Sequence, residues 1–407
     1  MIFLYLINEY IFWYPLVMSI IWIIGGIYFF IRNETDDFGT FSEYPMVSIL
    51  IPSYNEEYTI EKTINDLSDL NYPNYEIIVL NHGSKDKTVE IVKNILTQNK
   101  KLKLINIKNN NGKANALYYG LVASKGEILI CIDADSSLDN NAINYLVNHF
   151  IGAGNERVGA VTGNPRVKNR SSLLAKIQVC EFASIIGLIK RTQRLLGKVM
   201  TVSGVVVAYR KSALMDCGLW DRDTITEDIG VTWKLQKRFW AVRYEPKALC
   251  WMLVPETIKG YWNQRVRWAQ GGVEAIIKHR DILLSWKQRR LIPIYLEQLA
   301  SIIWALAWMI TTMLQVVISI YYKKPTLPIR WHGTYLALVC IIQFFIAMVI
   351  EEKYEKGISK YYIWAIWYPI FFWYFNALVV AFSIPKAIKA KLSKKKFATW
   401  DSPDRGL

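Results

Sequence analysis

Asp133 and Asp135 close the run Ile128 to Asp135, read ILICIDAD. An apolar stretch that stops at two carboxylates has the pattern of a buried strand delivering acids to a site. On an extended strand, residues two apart share a face, so both carboxylates reach one ion only if the chain turns at Ala134. Oxygen-only ligands suit a hard divalent cation, Mg²⁺ or Mn²⁺, which holds a diphosphate and neutralises its charge. Such triplets also occur as turn residues and helix caps, and the apolar run in front favours the site reading here. Thr226-Glu227-Asp228 precedes a helical period, which sets Asp228 at a helix start. In Tyr261 to Gly272, read YWNQRVRWAQGG, residues Gln264, Arg267 and Trp268 have i, i+3, i+4 spacing and share one helix face, with Arg265 pointing elsewhere. An Arg beside a Trp at a polar mouth suits a diphosphate and a sugar ring; a structural helix anchored by its Trp has the same pattern.

These residues need a scaffold, and from Pro45 onward short β-rich runs alternate with helical periods, the signature of a mostly parallel sheet with covering helices. The pattern predicts strands over Val47–Ile51, Glu76–Leu80, Leu102–Ile107 and Glu127–Ile132, and helices near Thr59–Leu70, Thr88–Gln98 and Ala114–Ala123. Ligands of such sheets lie beyond the carboxyl ends of the strands. The segments there, Pro52–Glu57, Asn81–Asp86, Asn109–Lys113 and Asp133–Ser137, are all polar. Farther on, Ser171–Lys198 is amphipathic: Leu173, Leu174, Ile177, Phe182, Ile185, Ile186 and Ile189 alternate with Lys176, Glu181, Lys190, Arg191 and Arg194. That composition suits a helix at a membrane interface, one lining an acceptor groove, or an ordinary domain helix. A sheet-like run over Met200–Tyr209 follows.

Long apolar segments flank this core. Ile11–Ile31 is long enough to cross a bilayer and is followed by Arg32; with no basic start or small-residue cleavage site it reads as an uncleaved anchor, amino terminus outside and the next domain in the cytoplasm. Asp36–Tyr44 reads as a polar linker. Leu291–Tyr322, Gly333–Ile350 and Tyr361–Ile384 form three further apolar segments, broken by Pro325, Pro328 and the charged loop Glu351–Lys360, with Glu297 near the start of the first. Three carboxyl-terminal spans would put the lysines of the tail, Lys386, Lys389, Lys391, Lys394, Lys395 and Lys396, outside and against the positive-inside bias, unless one segment is interfacial. The net charge of +15 has no accompanying nucleic-acid motif, and its basic clusters lie beside apolar segments, which points to an anionic membrane surface. Five scattered Cys without metal-ligand spacing read as reduced thiols. The expected organisation is an anchor over 1–32, a catalytic domain over 45–290, membrane helices over 291–385 and a basic tail over 386–407.

Asp133-Ala-Asp135, Thr226-Glu-Asp228 and Gln264-Arg-Val-Arg-Trp268 together resemble the ordered motif set of the processive, membrane-embedded family 2 glycosyltransferases. Gly112-Lys-Ala-Asn-Ala-Leu117, Thr162-Gly-Asn-Pro-Arg166, Trp251-Met-Leu-Val-Pro-Glu-Thr257, Arg265-Val-Arg-Trp-Ala-Gln-Gly-Gly272 and Ala398-Thr-Trp-Asp-Ser-Pro-Asp-Arg-Gly406 extend the likeness to bacterial synthases of poly-β-1,6-N-acetylglucosamine, over nearly the whole chain. The resemblance implies an α/β GT-A domain with interfacial and transmembrane helices in a bacterial cell membrane. It implies UDP-N-acetylglucosamine as donor, Mg²⁺ or Mn²⁺ as cofactor, a growing poly-N-acetylglucosamine chain as acceptor, export across the membrane for biofilm, and a small accessory membrane subunit as partner. By position, Asp133 should contact the nucleotide, Asp135 the metal, and Asp228 should be the general base. Gln264, Arg267 and Trp268 should hold the diphosphate and acceptor end, and Lys113 with Pro52, Tyr54 and Glu56 should help bind the nucleotide.

One position departs from the family. The turn Asn81-His82-Gly83-Ser84 has His82 where the family usually has an Asp that accepts a hydrogen bond from uracil. A neutral imidazole accepts through one ring nitrogen and loses that capacity when protonated. Tolerated substitution, altered nucleotide preference and impaired donor binding are all compatible with it. The alternatives to poly-N-acetylglucosamine synthesis are a synthase of hyaluronan, chitin or cellulose type, a transferase of one sugar to a lipid, and a membrane scaffold that has lost turnover through His82.

Overall fold

The computed structural model describes residues 2–34, 43–323, 331–393 and 396–399. Pro325, Pro328, Lys394, Lys395, most of the linker and the Trp400–Gly406 part of the tail motif lie outside the described residues. In chain order the elements are α1 (Ile2–Asn33), β1 (Val47–Ser53), α2 (Ile60–Ser68), β2 (Tyr75–His82), α3 (Thr88–Leu96), β3 (Leu102–Ile107), α4 (Lys113–Ala123), β4 (Ile128–Ile132), β5 (Ser137–Leu138), α5 (Ala142–Asn148) and β6 (Val158–Val167). They continue with α6 (Leu173–Glu181), a π-helical turn (Phe182–Leu188), α7 (Ile189–Leu195), β7 (Val206–Arg210), α8 (Lys211–Cys217), α9 (Glu227–Lys237), β8 (Ala241–Met252) and α10 (Ile258–Lys278). The last helices are α11 (Ile292–Tyr321), α12 (Trp331–Glu351) and α13 (Trp373–Leu392).

The strands form one mixed eight-stranded sheet in the order β3-β2-β1-β4-β7-β6-β8-β5. β3, β2, β1 and β4 are parallel, and β7 runs antiparallel to both β4 and β6. The alternation of side chains explains why β1, β2 and β4 are apolar throughout. Val47, Ile49, Ile51, Ile77, Val79, Ile128 and Ile130 face a layer containing Ile60, Ile64 and Leu67 of α2 and Leu146 and Val147 of α5. Leu50, Ile78, Leu80, Leu129 and Cys131 face Leu117 and Leu121 of α4, Leu214 of α8 and Val231 and Leu235 of α9. Each sheet face is therefore closed by helices, and the crossovers run in opposite directions from β1, which opens a crevice past the carboxyl ends of β1 and β4.

α1, the stretch Trp286–Tyr321 that contains α11, and α12 are long and apolar enough to cross a membrane. The fourth apolar segment, Tyr361–Ile384, is not one helix. It begins in 3-10 turns over Ile358–Ile366, passes through a π turn at Tyr368–Phe372 and becomes α13, whose Phe375 and Phe382 pack on Tyr261 and Trp262 of α10. Among the described residues, two carboxyl-terminal stretches, Trp286–Tyr321 and Gly333–Glu351, are helices long and apolar enough to be candidate spans, where three were expected. The sheet-like run over Met200–Tyr209 is also corrected. Only Val206–Arg210 is strand, because the N–H groups of Val202 and Ser203 are taken by the hydroxyls of Thr232 and Thr162.

Candidate active site

The loops after β1 and β2 are tied to one another, and the loop after β4 is tied to α2. Asn55 N–H donates to Ser84 Oγ at 2.9 Å, Lys85 N–H to Asn55 Oδ1 at 2.8 Å, and Glu57 N–H to Asp86 Oδ2 at 3.0 Å. Ser136 N–H reaches back to the Asp133 carbonyl at 3.1 Å and Thr63 Oγ1 donates to the Ala134 carbonyl at 2.8 Å, so the chain does turn at Ala134. That turn lets two carboxylates from one strand end serve one site.

Lys113, at the first turn of α4, joins the pieces. Its ammonium donates to Asp133 Oδ1 at 2.6 Å and to the Gly204 carbonyl at 3.1 Å, and lies 3.3 Å from Glu227 Oε1. Burial disfavours the charge, but Asp133 and Glu227 outweigh it and raise its pKa, so Lys113 is a fixed cation. Gly112, which precedes it, has φ +82° and ψ 163°, a conformation essentially reserved for glycine. Any Cβ there would also meet the carbonyl of Ala398, whose own N–H donates to the Arg222 carbonyl at 2.8 Å. The tail thus returns to the site's edge.

Asp228 stands in the first turn of α9, as expected. Its Oδ1 accepts from the Ile229 N–H at 3.0 Å and its Oδ2 from the Gly204 N–H at 3.3 Å. Desolvation first, and the neighbouring Glu227 second, push its pKa up to about 6 against the opposing pull of Lys113, the Ile229 N–H and Arg267. Burial therefore prevails over the helix terminus, and the carboxyl is a usable base near neutrality.

A cavity of about 450 Å³ collects Lys113, Asp133, Asp135, Asp228, Gln264, Arg267 and Trp268. The buried Gln264 presents an unpartnered Oε1, and Trp268 is held between Phe182 and the guanidinium of Arg265, 4.1 Å from its ring. Arg265 itself pairs with Glu181 at 2.6 Å, away from Arg267, as the helical spacing predicts. Pro52, Tyr54, Glu56 and His82 do not line this cavity. Glu56 accepts from Thr59 Oγ1 at 2.8 Å, a helix-start contact, while Tyr54 and His82 stack at 5.5 Å beside the β1 and β2 ends.

The far wall of the cavity is built by Tyr14 and Trp22 of α1, Lys190 and Gln193 of α7, the Ser203–Gly204 loop, and Glu297, Gln298 and Ser301 of α11; sequence reasoning had the stretch of α7 as one that could line a groove and missed the contributions of α1, of the loop and of Gln298 and Ser301. Glu181, Lys190 and Arg191, polar residues of the amphipathic stretch, are buried. The available signal was Glu297, a carboxylate at the start of an apolar segment.

Residues 45–271 match the family model described as glycosyltransferase like family 2. Over 411 residues the chain is 43% identical to a poly-β-1,6-N-acetyl-D-glucosamine synthase of Staphylococcus epidermidis, covering 98% of each chain. Over 413 residues it is 41% identical to a Staphylococcus aureus protein of the same name, again covering 98% of each. Among solved structures, a mannosyltransferase from Pyrobaculum calidifontis in complex with GDP-Man and Mn²⁺ superposes with a TM-score of 0.64 at 19% identity, covering 90% of this chain and 98% of that one, a likeness of fold.

Proposed function

Because the chain belongs to glycosyltransferase family 2 and has a GT-A-like fold, it is a glycosyltransferase, and we propose that it polymerises N-acetylglucosamine from UDP-N-acetylglucosamine into β-1,6-linked exopolysaccharide and helps pass the chain through the membrane. The observation that carries this reading is the one cavity shared by Asp228, the Asp133–Asp135 pair, the Gln264–Arg267–Trp268 face and polar residues of two candidate membrane helices.

In this reading Asp228 takes the proton of the acceptor hydroxyl. The hydroxyl oxygen attacks the anomeric carbon from the face opposite the diphosphate, and UDP leaves with the bonding pair, so an α-linked donor gives a β product. Arg267 and Lys113 set positive charge where the diphosphate gains negative charge. Trp268 offers an aromatic face to the acceptor sugar. Asp135, with Asp133 beside it, would hold Mg²⁺ or Mn²⁺. Among the described residues no group of three or more His, Cys, Asp or Glu could hold a metal ion, and a short donor set fits a cation that keeps waters and takes other ligands from a diphosphate. When bound, the ion neutralises the diphosphate. Tyr54 and His82 are assigned to the nucleobase.

With α1 entering from outside and two carboxyl-terminal spans, the catalytic domain and the lysines ending α13 share the cytoplasmic face, in keeping with the positive-inside bias. The exposed apolar surface of α11, including Met313, Val317 and Ile320, supports lipid and a small accessory subunit as neighbours.

The test is UDP release and polymer formation by the full chain in lipid with UDP-N-acetylglucosamine, with and without Mg²⁺ or Mn²⁺. Metal-dependent polymer cleaved by a β-1,6-N-acetylglucosaminidase is the expected result; polymer resistant to that enzyme, or a single transferred sugar, would replace the product assignment.

A further inference from the structure

The π-helical turn Phe182–Leu188 widens the helix between α6 and α7, and after it come four consecutive buried polar residues, Lys190, Arg191, Thr192 and Gln193. No amphipathic period produces four in a row. Three of them have partners that account for them structurally. Arg191 pairs with Glu34 and Glu351, Thr192 Oγ1 donates to the Trp22 carbonyl at 2.9 Å, and Gln193 Oε1 accepts from the Met200 N–H at 3.0 Å.

Lys190 differs. It is 6% exposed, forms no ion pair among the described residues, and lines the catalytic cavity. Its ammonium makes one hydrogen bond, to Ser203 Oγ at 2.6 Å. Burial lowers its pKa to about 7, against the pull of Asp228, so the site bears the desolvation cost of a buried amine with a single neutral partner. A Met of similar length would avoid that cost.

The contact at Ser203 reaches the base. Ser203 N–H is fixed on Thr162 Oγ1 at 2.8 Å, its carbonyl accepts from the Val206 N–H at 3.0 Å, and the next peptide belongs to Gly204. Gly204 N–H donates to Asp228 Oδ2 and its carbonyl accepts from Lys113, so this one residue touches both the base and the cation that holds Asp133.

We propose that Lys190 is a positioning residue for Asp228: through Ser203 it fixes the Gly204 N–H that orients the Asp228 carboxylate toward the acceptor hydroxyl. α7 thereby connects the membrane anchor, through Thr192 and Trp22, to the base. The proposal rests on Asp228 being the base, as read above.

Its test uses the full chain in lipid with Lys190→Met, Lys190→Arg, Ser203→Ala and the Lys190→Met/Ser203→Ala pair. The comparison is run on whichever UDP-sugar the wild type turns over, so failure on UDP-N-acetylglucosamine overturns the donor assignment and not Lys190. Lys190→Met should lower kcat by roughly 10-fold, the effect of one hydrogen bond, with donor KM within about twofold. Thermal stability should be unchanged or higher, because a buried, desolvated amine has been replaced by an apolar chain. Ser203→Ala should lose a similar factor, the double variant no more than the larger single loss, and Lys190→Arg should recover part of kcat. Near-normal kcat in Lys190→Met, losses that multiply in the double variant, or a fall in stability with kcat intact would each overturn the proposal.

Discussion

His82 Nδ1 lies 3.2 Å from Asn110 Oδ1, and the same oxygen accepts from the Gly112 N–H at 3.0 Å. The backbone donor fixes which end of the Asn110 amide faces inward, so the oxygen can only accept from His82. Nδ1 therefore carries the proton and Nε2 carries a lone pair. Burial first, with a further push from Lys113, lowers the imidazole's pKa below its usual value, so the ring is neutral at pH 7. A neutral acceptor at this position can take over the task of the Asp usual in the family. Donor KM should then be flat above neutrality and rise only in the acid range below the ordinary imidazole pKa, as the ring protonates and Nε2 becomes a donor. His82→Asp should remove that acid-side rise and match the wild type within about threefold at pH 7.5. A gain of more than tenfold at pH 7.5 would instead mark His82 as an impairing substitution.

Asp228→Asn keeps the shape of the side chain and removes its basicity. Polymer formation should fall by about 10³-fold or more, with the protein still folded in the membrane. In the wild type, kcat should decline below a pKa of about 6, because the carboxyl binds a proton there and no longer accepts one from the acceptor. A profile flat from pH 5 to 8 would remove Asp228 from the base role.

Asp133, Asp135, Asp228 and the Gln264–Arg267–Trp268 face were legible because each follows from a local pattern: a strand that ends at an acid, an acid ahead of a helical period, a 3.6-residue repeat. The strands β1 to β4 were legible within two residues for the same reason. The burial of Lys190 was not, because the π-helical turn breaks the repeat from which its face would have been read. Nor was its link to Ser203, which depends on a loop whose N–H groups are held by threonines on other elements. The cluster of Glu34, Arg191 and Glu351 joins residues 157 and 160 positions apart, and such distant charge pairing leaves no trace in periodicity. The interruption of the segment Tyr361–Ile384 by 3-10 and π turns left no trace in its apolar composition, and part of that composition packs on α10.

Gly112→Ala should injure the site through the backbone. The added Cβ strains a positive φ and meets the Ala398 carbonyl, a cost of order 1–3 kcal/mol. Relaxing it displaces the Gly112 N–H from Asn110 and moves the start of α4, so Lys113 loses its aim at Asp133. Donor affinity, measured by UDP binding to the full chain, should fall by about tenfold, more than global stability would suggest. Unchanged UDP binding would mean that the Gly112 turn does not shape the nucleotide site.

Glu351, at the end of α12, is fully buried and accepts from both Arg166 of β6 and Arg191 of α7, while Arg191 also reaches Glu34 just beyond α1. The candidate membrane helix α12, the catalytic sheet and α7 meet at this one carboxylate, and Arg191 carries the link on to Glu34 beyond α1. Glu351→Ala removes the carboxylate that two buried guanidiniums share, and breaking such a buried pair typically costs about 3–5 kcal/mol. Arg191 would keep Glu34, but Arg166 would be left with Glu355, 4.0 Å away. The expected outcome is a large loss of folded protein, read as a lower unfolding midpoint in lipid or detergent, with donor KM nearly unchanged in the fraction that folds. Glu351→Gln retains the acceptor oxygen and should lose less. If Glu351→Ala unfolded at the wild-type midpoint, the cluster would not be what joins the catalytic domain to its membrane helices.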